Sequence, residues 1–231
     1  MYNRILLKIS GEALSGEEGV GINRDMVENV VCQIVELSRM GKQIAIVVGG
    51  GNFWRGRQGA HMDRVTADHM GMLATVMNAL ALQDAIEKKG VPTRVQTAIG
   101  INAVAEPFIL RKALKHLDLG RVVLFACGTG NPYFSTDSGA ALRATEIKAD
   151  VLLMAKNIDG VYDSDPRLSK TAQKFAELSY LDVINKGLMV MDFTAITMCM
   201  ENHMPIVAFG LSGDKSLIRA AYGERIGTLI K

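Results

Sequence analysis

A lysine near the end of a short apolar run is the first side chain that could do chemistry. Lys8 follows Ile5–Leu7, and Ser10-Gly11 come two residues later. An ammonium is costly to bury unpaired, so Lys8 either reaches solvent from an edge strand or meets an anion. Gly11 allows the main chain to approach a ligand closely, and this favours a phosphate as the partner of Lys8.

A second candidate phosphate site follows another apolar run. Gln43–Val48 ends in Gly49-Gly50-Gly51, where main-chain N–H groups can meet a phosphate without a Cβ in the way. Arg55 lies four residues beyond and could bind the same anion through two parallel hydrogen bonds. A plain turn is the alternative, although three adjacent glycines exceed what a turn needs.

The segment 128–137 is the most informative loop, because it joins an apolar strand to an Ala-rich helix. Its side chains that can form hydrogen bonds include Thr129, Asn131, Ser135 and Thr136. A helix that starts at about Thr136–Asp137 would direct its free N–H groups at whatever the loop holds. The segment is either a site for an anion and a polar ring, or a capped surface turn.

Three carboxylates could serve such a site. Asp68 falls in the first turn of a predicted helix, where it either favours the helix dipole or accepts hydrogen bonds from a ribose. Asp137 at a helix start is a cap, or it orients a lysine or binds Mg²⁺. Asp165 closes an acidic stretch with Tyr162, which suits a nucleotide base and sugar, or is a solvated loop.

Several common catalytic motifs are absent from the sequence. Gly11–Gly16 has the opening spacing of a P-loop but continues Glu17-Glu18, and Gly49–Gly51 does not continue into GxGxxG. There is no GxSxG or HExxH. What remains is glycine loops for two phosphate groups, a lysine between them and acids for a metal, which together suit phosphoryl transfer.

Composition predicts a soluble cytoplasmic protein. The 231 residues are 48% hydrophobic and 22% charged with a net charge of +2, so no strong field favours nucleic acid. No apolar run approaches the ~20 residues of a membrane span, and Ile5–Leu7 is too short for a signal peptide. Cys32, Cys127 and Cys199 form no CxxC pair, which predicts a reducing compartment.

Apolar strands alternate with amphipathic helices along the whole chain, which predicts a three-layer αβα sandwich with a mostly parallel sheet. We expect one domain over 1–231, with ligands beyond the carboxyl ends of the strands. The predicted strands are Arg4–Ile9, Gln43–Val48, Thr93–Thr97, Val122–Ala126, Val151–Ala155, Pro205–Phe209 and 227–230. The predicted helices are 24–40, 66–89 with Thr66 as its cap, Glu106–Leu117, 137–148, 192–202 and 214–222; residues 157–175 are expected to be a loop.

Six segments resemble the amino-acid kinase superfamily and, within it, the bacterial uridylate (UMP) kinases. The segments are Lys8–Ala13, Val48–Asn52, Asp68–Thr75, Gly128–Asp137, Asp159–Tyr162 and Val190–Asp192. The resemblance runs essentially end to end. It implies ATP-dependent, Mg²⁺-assisted phosphorylation of UMP to UDP in pyrimidine nucleotide synthesis, performed by a homohexamer.

The resemblance also implies roles for residues of this chain. The catalytic candidates are Lys8, Arg55, Asp137 and Asp165, and Mg²⁺ is assigned to no particular residue. The implied ATP contacts are Lys8, Ile9, Ser10, Gly11, Gly51, Arg55, Tyr162, Asp165 and Asn157, the last with Lys156 as the neighbouring alternative. The implied UMP contacts are Gly50, Asp68, Thr129, Gly130, Asn131, Pro132, Tyr133, Phe134, Ser135 and Thr136.

The resemblance further implies that the N-terminal part binds UMP and makes oligomer contacts, while the C-terminal part binds ATP. Gly16–Gly21 matches a segment linked to activation by GTP, and inhibition by UTP is a further possibility. Two alternatives use the same fold: a kinase that forms acyl phosphates, and a non-catalytic binder of nucleotides or oxyanions. The polar loop 129–136 argues against the first, and the full charged set of Lys8, Asp137 and Asp165 argues against the second.

Overall fold

Continuous apolar runs form the central strands, as predicted, because helices cover both faces of the sheet. The computed structural model describes residues 1–54 and 61–231. Its strands are β1 (Arg4–Ile9), β2 (Gln43–Val48), β3 (Thr93–Thr97), β4 (Glu106–Pro107), β5 (Val122–Ala126), β6 (Val151–Lys156), β7 (Val161–Tyr162), β8 (Lys174–Phe175), β9 (Glu177–Leu178), β10 (Ile206–Gly210) and β11 (Thr228–Ile230). Within the described residues, the main sheet has the order β4-β3-β5-β2-β1-β6-β10-β11-β9, and β7 pairs with β8.

The main sheet is parallel apart from one neighbouring pair, since β11 runs antiparallel to β10. The helices are α1 (Arg24–Arg39), α2 (Arg64–Lys88), α3 (Leu110–Asp118), α4 (Thr136–Glu146), α5 (Tyr180–Asn185), α6 (Phe193–Glu201) and α7 (Ser216–Ala221). One apolar core lies between the sheet and α1, α2 and α7, and a second lies between the sheet and α3 to α6. The predicted three-layer sandwich is thus confirmed.

The alternation of side chains along β1 decides which layer each residue meets. Ile5, Leu7 and Ile9 belong to the core under α1 and α2, while Leu6 belongs to the core under α4. Lys8 has the parity of Leu6, so its side chain leaves the sheet on the α4 side. This parity brings the buried ammonium to the start of α4.

Three local predictions were wrong. The helix predicted over Glu106–Leu117 begins only at Leu110, because Glu106–Pro107 forms the edge strand β4, a position that tolerates a residue without an N–H. The long helix begins at Arg64 with Asp63 as its N-cap, so Thr66 is not the cap. The expected loop over 157–175 contains the hairpin of β7 and β8.

No helix among the described residues is long and apolar enough to cross a membrane.

Candidate active site

Four loops that the sequence singled out meet at one edge of the sheet. They follow β1, β2, β5 and β6, which are neighbours in the order β5-β2-β1-β6. Because all four strands are parallel, their carboxyl ends open on the same side, where open α/β sheets bind ligands. The sheet order therefore assembles segments that are far apart in the chain.

A buried ion pair joins the first of these loops to the third. Lys8 Nζ lies 2.7 Å from Asp137 Oδ1, and the two side chains are 9% and 17% exposed. The N-cap of α4 is Ser135, whose Oγ accepts from the amides of Asp137 and Ser138. Asp137 is therefore not the cap, and its carboxylate is paired with the Lys8 ammonium.

A second lysine stands beside this pair. Lys156 ends β6, and its Nζ donates a hydrogen bond to the carbonyl of Val190. Burial lowers the pKa of Lys156, the Asp137 carboxylate acts to raise it, and the Lys8 ammonium lowers it further. Two ammoniums thus share one carboxylate, so the cluster carries surplus positive charge that an anion would neutralise.

The larger of two cavities lies on the β6 side of this cluster. It has a volume of about 600 Å³, and four of the predicted ATP contacts line it, namely Ser10, Asn157, Tyr162 and Asp165. Lys156 lines it as well, so both alternatives next to the Asp-Gly-Val stretch face this cavity. Lys8, Ile9 and Gly11, the other predicted contacts of the β1 loop, are buried.

The Asp165 carboxylate pairs with Arg167 of its own loop and not with Lys8 or Lys156. Its Oδ1 and Oδ2 accept from Arg167 Nε at 3.0 Å and Nη2 at 2.8 Å. The hydrogen bonds from Arg167 lower the pKa of Asp165 to about 2. The ionised carboxylate of Asp165 therefore lines the larger cavity while it stays paired with Arg167.

The smaller cavity, of about 230 Å³, lies on the β5 side. Most of the predicted UMP contacts line it: Gly50, Asp68, Thr129, Asn131, Phe134, Ser135 and Thr136. Helix α2 forms its opposite wall and packs so closely that a Cβ on Gly50 would lie 2.8 Å from both Ala74 Cβ and Gly71 O. Thr75 of the same helix accepts a hydrogen bond from the Cys127 amide at 2.8 Å, which fixes the start of the polar loop.

Asp68 holds the polar loop from the other side. Because α2 begins at Arg64, Asp68 lies in the second turn of the helix. The prediction that it lies in the first turn was wrong. Its Oδ2 accepts from the Tyr133 amide at 2.8 Å and from Arg64 Nε at 2.8 Å. Burial opposes ionisation of Asp68, but the Tyr133 amide and the Arg64 guanidinium outweigh it and hold the pKa below its usual value.

Four further residues that were predicted to contact a nucleotide do not line the cavity that the prediction gave them. Gly51, assigned to ATP, lines the smaller cavity together with Gly50, although a Cβ there would point at Glu12 of the larger cavity. Gly130, Pro132 and Tyr133 belong to the loop that closes the smaller cavity without lining it. Arg55 lies outside the described residues.

The fold and the site together define a class of α/β proteins with two neighbouring cavities at the carboxyl ends of parallel strands. The chain belongs to the amino acid kinase family, whose sequence model matches residues 3–209. Among solved structures it is similar to the UMP kinase from Bacillus anthracis, with a TM-score of 0.97, 38% identity and coverage of 100% of this chain and 96% of that one. For the UMP kinase from Ureaplasma parvum the corresponding values are 0.94, 35%, 100% and 99%. A uridylate kinase from Archaeoglobus fulgidus has a TM-score of 0.75, 28% identity and coverage of 98% and 99%.

Proposed function

We propose that this chain transfers the terminal phosphoryl group of ATP to UMP and gives UDP and ADP, a step of pyrimidine nucleotide (CTP) synthesis. The observation that carries the proposal is that residues next to the Lys8–Asp137 pair line both cavities. Lys156 of the larger cavity acts electrostatically on the pair, and Thr136 of the smaller cavity precedes Asp137 directly. Similarity to UMP kinases over the whole chain supports the same substrates.

The sizes of the cavities support the assignment of the two nucleotides. The larger cavity of about 600 Å³ would take ATP, and the smaller one of about 230 Å³ would take UMP. Apart from Ser10 and Glu12, the residues that line the larger cavity fall between 156 and 208, and those that line the smaller cavity fall within 50–54, 67–75 and 127–136. This supports an N-terminal part that mainly binds UMP and a C-terminal part that mainly binds ATP.

The reaction needs no covalent intermediate. An oxygen of the UMP phosphate attacks the terminal phosphorus of ATP as the bond from that phosphorus to the bridging oxygen breaks, and ADP leaves with the electron pair. Positioning and charge neutralisation do most of the work in such transfers. Lys8 and Lys156 would neutralise the moving group, and Asp137 would keep Lys8 in place.

Mg²⁺ fits this site as a companion of the nucleotide. The part of the chain that the structure describes holds no group of three His, Cys, Asp or Glu side chains that could cage a metal. Mg²⁺ usually keeps several waters and binds through substrate phosphates with one or two carboxylates, so it needs no such cage. When bound, the ion would neutralise phosphate oxygens of ATP.

The purified chain is tested with ATP and Mg²⁺ and, in separate reactions, UMP, CMP, aspartate or glutamate. We expect UDP from UMP at a rate far above that from the other acceptors. Product from an amino acid with none from UMP would instead indicate the acyl-phosphate-forming alternative. Binding of both nucleotides without product would indicate the non-catalytic binder.

We expect Asp68→Asn to weaken UMP more than ATP. The substitution removes the charge that holds the Tyr133 amide and Arg64, and a charge-assisted hydrogen bond is worth about 1.5–3 kcal/mol. The KM for UMP should therefore rise about tenfold or more, while the KM for ATP changes little. Steady-state kinetics with each nucleotide varied in turn measures the split.

The matched control for Asp68→Asn is Asp84→Asn on the same helix. Asp84 also pairs with a basic residue four positions away, Lys88, at 2.6 Å, but it is exposed and lines neither cavity. We expect both KM values to stay near those of the unmodified chain. A larger rise for ATP than for UMP in Asp68→Asn would mean that the two sites are interchanged.

The alkaline limb of kcat/KM for ATP is expected to report Lys156. Burial places the pKa of this lysine below the ordinary value of 10.5, so the active ammonium is lost as pH rises through that lower value. Because an arginine stays charged, Lys156→Arg should move the limb to higher pH. Coincident limbs for the two proteins would remove Lys156 from the neutralisation of ATP.

We further propose that the chain works as a homohexamer in the cytoplasm. Leu73 and Met77 are 51% and 50% exposed and lie one turn apart on α2, which supports self-association through this face. Sedimentation velocity measures the assembly, and a monomer of 25.0 kDa at working concentration contradicts it. A GTP activator and a UTP inhibitor stay predictions.

A further inference from the structure

Asp192 is the last residue of the segment Val190–Asp192, which carries the family resemblance but has so far been given no role. It is the N-cap of α6, and its Oδ1 accepts from the Ala195 amide at 2.8 Å. The same carboxylate accepts from Ser138 Oγ at 3.0 Å and from Ser135 Oγ. A single side chain therefore ties together the amino-terminal ends of two helices.

These contacts connect the two cavities through the charged cluster. Ser135 lines the smaller cavity, and Ser138 follows Asp137 in the first turn of α4. On the other side, Val190 lines the larger cavity two residues before Asp192, and its carbonyl accepts from Lys156. Hydrogen bonds to Asp192, together with the short chain segment from Val190 to Asp192, thus link Ser135 in one cavity wall to Val190 in the other.

The charge of Asp192 sets the direction of the hydrogen bonds in α4. Ser135 Oγ accepts from the amides of Asp137 and Ser138 at 3.0 and 3.3 Å, so its own hydrogen is free to point elsewhere. A carboxylate can only accept, and it therefore holds this hydroxyl as a donor. An asparagine could keep the α6 cap through its oxygen, but its NH₂ group would compete with the α4 amides for Ser135 Oγ.

We propose that Asp192 is a positioning residue that holds the first turn of α4, and with it Asp137, against the wall of the larger cavity. Capping of α6 needs only one of its oxygens, whereas the bonds to Ser135 and Ser138 reach a different helix at the reaction centre. The inference rests on the proposed function, because positioning matters only if a phosphoryl group moves at Lys8–Asp137. Asp192 lines neither cavity, so it would act on the reaction through Asp137 and not through contact with a nucleotide.

The test compares Asp192→Asn with the unmodified chain by hydrogen–deuterium exchange and by kinetics. We expect faster exchange at the amides of residues 137 and 138 and a kcat lowered by about tenfold, since small displacements of catalytic groups are costly. Asp150→Asn is the control: Asp150 also ties two segments, through the Asn3 and Arg4 amides at 2.6 and 2.9 Å, but it does so at the opposite end of β1. It should leave kcat and the α4 amides unchanged.

Two outcomes of this comparison would overturn the inference. The first is Asp192→Asn with unchanged kcat and α4 exchange, even if its thermal midpoint falls as a lost cap would make it fall. The second comes from Ser138→Ala, which serves as an independent probe should Asp192→Asn not fold. We expect Ser138→Ala to lower kcat several-fold by itself and to add little to Asp192→Asn, because both break the same link; effects that multiply, or no effect of Ser138→Ala, contradict the link.

Failure of the proposed function is distinguishable from failure of this inference. If the unmodified chain makes no UDP, the proposed function falls, while exchange at the α4 amides still reports whether Asp192 holds that turn. If UDP forms normally in every variant, only the inference falls.

Discussion

Lys8→Ala is expected to lower kcat by about 10³ while the affinity for UMP changes little, because the group removed acts on charge that moves in the transition state. Lys8 Nζ is held 2.7 Å from Asp137 in a nearly water-free setting, where an ammonium acts more strongly on phosphate oxygens than it would in solvent. Stopped assays of UDP formation at saturating ATP give kcat. Titration of UMP onto the variant gives its affinity.

The chain offers a close control for this substitution. Lys42 directly precedes strand β2, and Lys42 and Lys8 are each 7% exposed. Its Nζ donates to the Tyr2 carbonyl, and both residues lie at the amino ends of strands β1 and β2, opposite to the end that carries the cavities. Lys42→Ala should lower stability without a comparable loss of kcat per folded molecule. Full turnover in Lys8→Ala would remove the lysine from the mechanism.

Asp137→Asn is expected to lower kcat by about a hundredfold, because Lys8 loses the carboxylate that fixes its position. The substitution also leaves the Lys8 and Lys156 ammoniums without the negative charge between them. Since Asp137 acts to raise the pKa of Lys156, the alkaline limb of kcat/KM for ATP should move to lower pH in this variant. The same pH series that tests Lys156 measures this displacement.

Asp25→Asn is the control for the Asp137 substitution. Asp25 occupies the second position of α1, as Asp137 does in α4, and its amide bonds to the cap Asn23 at 3.0 Å, as the Asp137 amide does to Ser135. The Asp25 carboxylate occupies the same position relative to a helix dipole as the Asp137 carboxylate. It differs in that it does not pair with a lysine of the site. Equal losses of kcat in the two variants would mean that Asp137 acts only as a favourable charge at a helix start.

The candidate site divides into residues whose roles could be predicted and residues whose roles could not. Lys8, the glycines 49–51 and the loop 128–137 stand out locally, because a lysine in an apolar run and clustered glycines are unusual whatever the fold. Asp192 and Thr75 each end a segment that carries the family resemblance, but no residue type or spacing beside them indicates what they contact. Their roles arise from contacts with residues 54 and 52 positions away, which local patterns do not encode.

The identity of the partner of Lys8 shows the same limit. The sequence favoured an anion, namely a phosphate, as the partner of this ammonium over exposure to solvent from an edge strand. Among the carboxylates, Asp137 was predicted as one that could orient a lysine, while Asp165 was assigned to the contacts with ATP. The alternation of side chains along β1 and the position of α4 bring Lys8 to Asp137. Asp165 instead pairs with Arg167 of its own loop.

By itself the sequence determined the layered α/β architecture, since apolar strand runs, amphipathic helices and glycine stops are each written within a few residues of chain. It also predicted phosphates as the ligands. Only the tertiary structure decided that β5, β2, β1 and β6 lie side by side and that Lys156 joins Lys8 and Asp137. Strand order and the distances between loops depend on the packing of the whole sheet, and no local segment carries that information.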